Sequence, residues 1–156
     1  MAAEEAVRLE VTIGAPPEVV YRLLTEDDLL IRWMGISAQL DPRPGGVFRF
    51  EVAPGQFCSG EFQEVVPGRR VVFTWGYESD AMLVAPGSTT VEVDIEPRGD
   101  TSVVRLVHRG LEGPMTRMHA EGWSKYMHRL TAVAEGRNPG SDPAAPYQSG
   151  ALPEIP

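Results

Sequence analysis

The sequence has a single cysteine, Cys58. A lone cysteine closes no intramolecular disulfide and builds no cysteine-rich zinc site. It fits a reducing compartment, so a cytoplasmic location is expected. There is no run of five basic residues, and the formal net charge is −8. An acidic surface repels phosphate backbones and anionic lipid, which argues against nucleic acid and membrane surfaces as partners. No apolar stretch approaches the roughly 18 residues a membrane span requires. The first residues carry Glu4 and Glu5 where a signal peptide would place basic ones, so no secretory leader is expected. No His-Glu-x-x-His run, serine triad or spaced carboxylate pair is present. Pro54-Gly55, Pro67-Gly68 and Pro86-Gly87 are turn pairs without the spacing of a phosphate loop. No metal and no cofactor is therefore expected.

What the chain does have is enough apolar sequence for a core: 42% of its residues are hydrophobic, too many for a disordered chain. Its length fits one domain. That domain is read as residues 1–137, followed by an extended proline-rich tail, 138–156, holding Pro139, Pro143, Pro146, Pro153 and Pro156.

Val7 to Ile13 alternates strictly, with Val7, Leu9, Val11 and Ile13 on one face, which predicts a half-buried strand. Pro17 is placed to open a helix running to Leu24, with Glu18 in its first turn. Asp27 or Asp28 is expected to cap a second short helix over Leu29 to Trp33, stopped by Gly35. Six strands follow. Phe48, Phe50 and Val52 share one face, as do Val71, Phe73, Trp75 and Tyr77. Gly60 inside the strand from Phe57 to Val66 predicts a bulge or a close approach. Arg98, Gly99 and Asp100 make a tight hairpin turn between the last two strands. Glu92, Asp94 and Glu96 project from a solvated strand face, within pairing reach of Arg49 and Arg105. From Pro114 to Arg137 apolar residues recur at spacings of three and four, which predicts one long helix about 30 Å in length, ended by Gly136.

The order strand, two short helices, six strands, long helix resembles the helix-grip, START-like (SRPBCC) superfamily. Pro44-Gly-Gly-Val-Phe-Arg-Phe50, Gly60-Glu-Phe62, Val71-Val-Phe-Thr-Trp75 and His119-Ala-Glu-Gly-Trp123 look like the branch named after the activator of heat-shock protein 90 ATPase. The resemblance implies an α+β fold in which a curved antiparallel sheet wraps the C-terminal helix around a cavity. It also implies an additional N-terminal domain in eukaryotic activators, which this sequence does not contain.

The residue pattern puts Phe48, Phe50, Phe62, Phe73, Trp75 and His108 on the sheet side of that space. Met118, His119, Gly122, Trp123 and Tyr126 lie on the helix side, and Trp33 closes one end. Gly122, having no side chain, leaves room beside Trp123. An open pocket is the first reading; the same residues would also suit a filled core, since apolar pockets and apolar cores share a composition. His108 faces inward and is the candidate to orient a ligand or act as a base. His128 is read as solvent-facing and Cys58 as a buried small hydrophobe. The first functional reading is a binding module for a small hydrophobic or aromatic molecule. A cyclase- or hydrolase-like enzyme in the same pocket is the alternative, and a chaperone-associated regulator is third. A second copy of the chain is a further candidate partner through open sheet edges.

Overall fold

A computed structural model describes residues 6–79 and 82–144. The chain forms β1 (Val7–Ile13), α1 (Pro17–Thr25), α2 (Asp27–Leu30), β2 (Ser37–Leu40), β3 (Val47–Ala53), β4 (Gln56–Val66), β5 (Arg70–Trp75), β6 (Thr89–Arg98), β7 (Thr101–Arg109) and α3 (Pro114–Ala134). Seven strands make one antiparallel sheet in the order β1-β7-β6-β5-β4-β3-β2. The chain thus meanders from β2 to β7, and β1 returns to close the far edge beside β7. Register shifts between Glu51 and Ala53 and between Phe62 and Glu64 bend the sheet. On its concave side it carries α1 and α3, and this is the α+β helix-grip architecture.

Each element follows from its local chemistry. In β1, Val7 and Ile13 are buried while Arg8 and Glu10 are not, as alternation requires. Pro17 opens α1, whose Val20, Leu23 and Leu24 enter the core. Pro114 opens α3. Gly136 ends it at a φ of 78°, where its own N–H bonds the Val133 carbonyl and the next N–H, of Arg137, reaches back to Ala132. That pair of bonds is a Schellman cap, which needs a left-handed residue at Gly136.

Two local expectations are corrected, and a third, left open between two alternatives, is resolved. Neither Asp27 nor Asp28 caps α2: the helix begins at Asp27, and Glu26 precedes it with no side-chain cap. The Asp27 carboxylate instead accepts the Leu40 N–H at 2.8 Å, tying α2 to the edge strand β2. Gly60 is not at a bulge, because its register with Phe48 is regular. It is a close approach: a Cβ there would lie 2.1 Å from the Thr74 carbonyl oxygen. On the wet face, Arg105 does meet Glu96, at 3.5 Å, but Arg49 pairs with Glu78 at 2.7 Å and lies over the Phe57 ring. Arg70 holds Asp94 at 2.8 Å, and Glu92 is shared between Arg109 at 3.0 Å and Arg70 at 3.4 Å.

The core runs the length of the concave face. At its centre Phe48 stacks on Phe73 with ring centroids 4.0 Å apart, and Phe62 meets both edge-on. Of the tail, residues 138–144 are described. Pro146, Pro153 and Pro156, and the N-terminal Glu4 and Glu5, lie outside the described residues.

Candidate functional site

Beyond the stacked phenylalanines the core opens into a cavity of about 390 Å³. Its floor is Trp75. One wall is the β3–β4 hairpin end, with Val52, Ala53, Gln56 and Phe57; the opposite wall is the first half of α3, with Met118, His119, Gly122, Trp123 and Tyr126. Tyr77, Ser79 and Met82 follow β5 along the rim, and Pro143 and Ala144 of the tail complete it. Gly122 faces open space: a Cβ there would meet nothing within 4 Å. The absent side chain is what leaves the room.

The polar groups at the floor are oriented by one another. His119 Nδ1 lies 2.8 Å from the Met115 carbonyl, which only accepts, so Nδ1 carries the proton. His119 Nε2 is then an acceptor and takes the Tyr77 hydroxyl proton at 2.9 Å. Burial pushes the Tyr77 phenol well above its usual range, and it stays protonated. Burial also lowers the His119 pKa, against a raising effect of the Met115 hydrogen bond.

His108 sits behind this layer, fully buried. Trp123 Nε1 donates to its Nδ1 at 2.9 Å, so its Nε2 carries the proton and donates to Thr89 Oγ1 at 2.8 Å. Thr89 in turn donates to the Trp75 carbonyl at 2.8 Å. Burial, and secondarily the neighbouring His119, pushes the His108 pKa down to about 3. Both its nitrogens are engaged inside the protein. It orients Trp123, and through Trp123 the cavity wall, without lining the cavity itself.

The twelve residues expected at the site thus divide. Trp75, Met118, His119, Gly122, Trp123 and Tyr126 line the cavity. Phe48, Phe50, Phe62 and Phe73 are buried in the aromatic cluster that ends at Trp75. Trp33 is buried under α1, donating its N–H to the Leu23 carbonyl at 2.8 Å. The space between helix and sheet is filled at one end and open at the other. Met118, 46% exposed, stands at the mouth.

Tyr77 and Val52 line the cavity and were legible as continuations of the Trp75 and Phe50 faces. The rim residues Ser79 and Met82 carried no periodic signal. Arg129 was also missed. It is buried, donates to the Trp33 carbonyl at 2.9 Å, and reaches the carbonyls of Pro139 and Gly140. Its position within the apolar stripe, three residues after Tyr126 and four before Val133, was the available signal. The tail is also held by Tyr126, whose hydroxyl donates to Asp142 at 2.9 Å. These bonds bring Pro143 and Ala144 to the cavity rim. Cys58 is buried and its thiol pushed up by burial, as an inert core thiol would be. Among the described residues no group of three or more His, Cys, Asp or Glu is placed to hold a metal ion, and no helix is long and apolar enough to cross a membrane.

A family model described as Activator of Hsp90 ATPase homolog 1-like protein matches residues 14–135. The human activator of 90 kDa heat shock protein ATPase homolog 1 is 28% identical over 120 residues, covering 77% of this chain and 34% of that protein. The chain therefore spans about a third of that relative's length. The solution structure of an AHSA1-like protein from Rhizobium etli is 41% identical, with a TM-score of 0.71 over 92% of this chain and 89% of that one. The crystal structure of DynU16, a putative protein in the dynemicin biosynthetic locus, shares the fold at a TM-score of 0.74 and 21% identity, over 90% of this chain and 51% of that one.

Proposed function

The chain belongs to the family of Activator of Hsp90 ATPase homolog 1-like proteins, and from that fold and its cavity we propose that it binds a small hydrophobic or aromatic molecule between the sheet and α3. The observation that carries this reading is the open space beside Gly122, floored by Trp75 and walled by Trp123, Tyr126 and Phe57. Its volume falls within the range of small-molecule sites, and its lining has the expected mix of aromatic surface with a few convergent polar groups. Binding is favoured over catalysis because the two core histidines have all four ring nitrogens engaged by protein groups. A general base needs a free lone pair within reach of its substrate.

The test is occupancy. The neutral fluorophore N-phenyl-1-naphthylamine is expected to bind the protein and to be excluded by Gly122→Phe, which fills the cavity from the helix side. Gly122→Ala is expected to retain binding and to raise stability by about 0.5–1 kcal/mol, because alanine removes glycine's entropic cost in a helix and its Cβ meets nothing. Fluorescence titration and thermal melts read both. Equal binding by wild type and Gly122→Phe would reject the cavity as the site.

The sheet ends in two edge strands, β1 and β2, whose outer backbone groups can pair with a second copy. Homodimerisation is proposed on that ground, and a monomer mass by light scattering would reject it.

A further inference from the structure

The two edges of the sheet are not equal. β2 is four residues long, and the Asp27 carboxylate already accepts its Leu40 N–H at 2.8 Å. β1 is seven residues long, and the register identifies its outward groups. Arg98 and Thr101 close the two-residue turn at Gly99 and Asp100, so they form a hydrogen-bonded pair. From there the odd-numbered residues of β7 bond β6, and the even-numbered ones bond β1. Their partners in β1 are Val7, Leu9, Val11 and Ile13. Arg8, Glu10 and Thr12 therefore turn their backbone N–H and C=O groups away from the sheet. All three residues are exposed, and these backbone groups meet no partner among the described residues. Gly14, next in phase, has its N–H taken by the Glu135 carboxylate at 2.7 Å.

A strand that extends this edge must set its own free groups opposite residues 8, 10 and 12. The β1 strand of a second copy does so when the two pair antiparallel about a two-fold axis, and the charges choose the register. Four axes, at residues 8 to 11, lie within the exposed stretch. An axis at Arg8 sets Arg8 against Arg8, and one at Glu10 sets Glu10 against Glu10. Like charges directly opposite are destabilising. An axis at Val11 sets Arg8 against Gly14, whose N–H is occupied. An axis at Leu9 sets Arg8 of each copy against the partner's Glu10, so the complementary pair forms twice. Arg8 makes no ion pair within its own chain among the described residues, while Glu10 is oriented by Arg105 at 2.8 Å. On the concave side the same axis brings the half-buried Leu9 against the partner's Leu9, and Val7 against the partner's Val11.

We propose that a second copy of this chain docks on the β1 edge, its β1 pairing antiparallel about an axis at Leu9, so that two sheets join into one. This pairing rests on the reading of the chain as a homodimer and adds the edge and the register. No residue of β1 lines the cavity beside Gly122, so probe binding there is expected to be unchanged by variants of the edge.

Sedimentation equilibrium of the whole chain reads the assembly, and a crosslink reads the register. Arg8→Glu sets two like-charged pairs across the axis and weakens the dimer about tenfold or more. Arg8→Glu combined with Glu10→Arg restores it. Glu10→Pro removes an outward N–H without touching the bonds to β7, so it yields a folded monomer. Leu9→Cys gives a covalent dimer on oxidation with diamide, because the non-hydrogen-bonded pair on the axis has Cα atoms about 4.5 Å apart, within disulfide range. The native Cys58 is buried and gives no background. Thr12→Cys, which has no cysteine opposite it in this register, stays uncrosslinked. Should Glu10→Pro fail to fold, the charge reversal and the crosslink decide. A dimer that ignores the charge reversal and forms no Leu9→Cys crosslink overturns this pairing and leaves the homodimer reading intact. A wild-type chain that is monomeric at every concentration overturns both.

Discussion

Phe48→Ala is expected to destabilise the protein by about 3–5 kcal/mol while leaving the cavity's affinity for an aromatic probe nearly unchanged. Phe48 is fully buried. Its ring stacks on Phe73 at 4.0 Å between centroids and meets Phe62 and Phe50 edge-on at 5.6 and 5.9 Å. Truncation removes a whole ring from the middle of that cluster, and the sheet on one side and the helices on the other restrict its collapse. Against a typical stability of about 5–15 kcal/mol the loss is severe. The cavity begins on the far side of Trp75, so the folded fraction keeps its site. Urea denaturation should show a lower midpoint with an unchanged slope. A Phe48→Ala protein of near-normal stability that no longer binds probe would show that Phe48 belongs to the site after all.

The second large effect is acid sensitivity centred on His108. Its pKa in the folded protein is about 3, against 6.5 for the free side chain. Below pH 6.5 the unfolded chain takes up a proton at this residue that the folded chain refuses. Stability from this group is therefore complete above pH 6.5 and falls as the pH drops toward 3, by up to about 1.4 kcal/mol per pH unit. His119, also lowered by burial, acts in the same direction. The cause is specific: protonating His108 Nδ1 would abolish its acceptance of the Trp123 N–H and place a charge in the core. Exposed carboxylates held low by ion pairs, such as Glu78 beside Arg49, add to acid unfolding, so denaturation alone does not isolate the histidine. Imidazole 15N shifts do. His108 should remain the Nε2–H tautomer from pH 8 to pH 4 in the folded protein. Titration of that ring near pH 6.5 without unfolding would contradict the network.

Much of the fold could be read from the sequence because sheet and helix periodicities report directly which side of an element meets the core. The strict alternation of β1, the two-residue turn at Gly99 and Asp100, and the three-and-four spacing of α3 each correspond to an element with nearly the expected bounds. The site was only half legible. Alternation places Phe48, Phe50, Trp75 and His108 on the concave face, but it carries no information about depth. Whether an inward ring meets another ring or open space depends on how the bulges near Glu51 and Phe62 bend the sheet toward α3. Gly122 was the exception: a glycine inside an amphipathic helix leaves a gap on one helix face wherever the helix packs.

By itself the sequence determined the α+β class, the strand order along the chain, the family, and which apolar residues of the long helix and the sheet face one another. These follow from local periodicity, turn chemistry and motif order, which act over a few residues. The tertiary structure alone decided which part of the space between helix and sheet is filled by Phe48 and Phe73 and which part is open beside Gly122. It also decided that His108 faces protein on both nitrogens and that Arg129 draws the tail across the rim. Those outcomes depend on groups far apart in the chain meeting at hydrogen-bond distance, and no local pattern encodes such a distance.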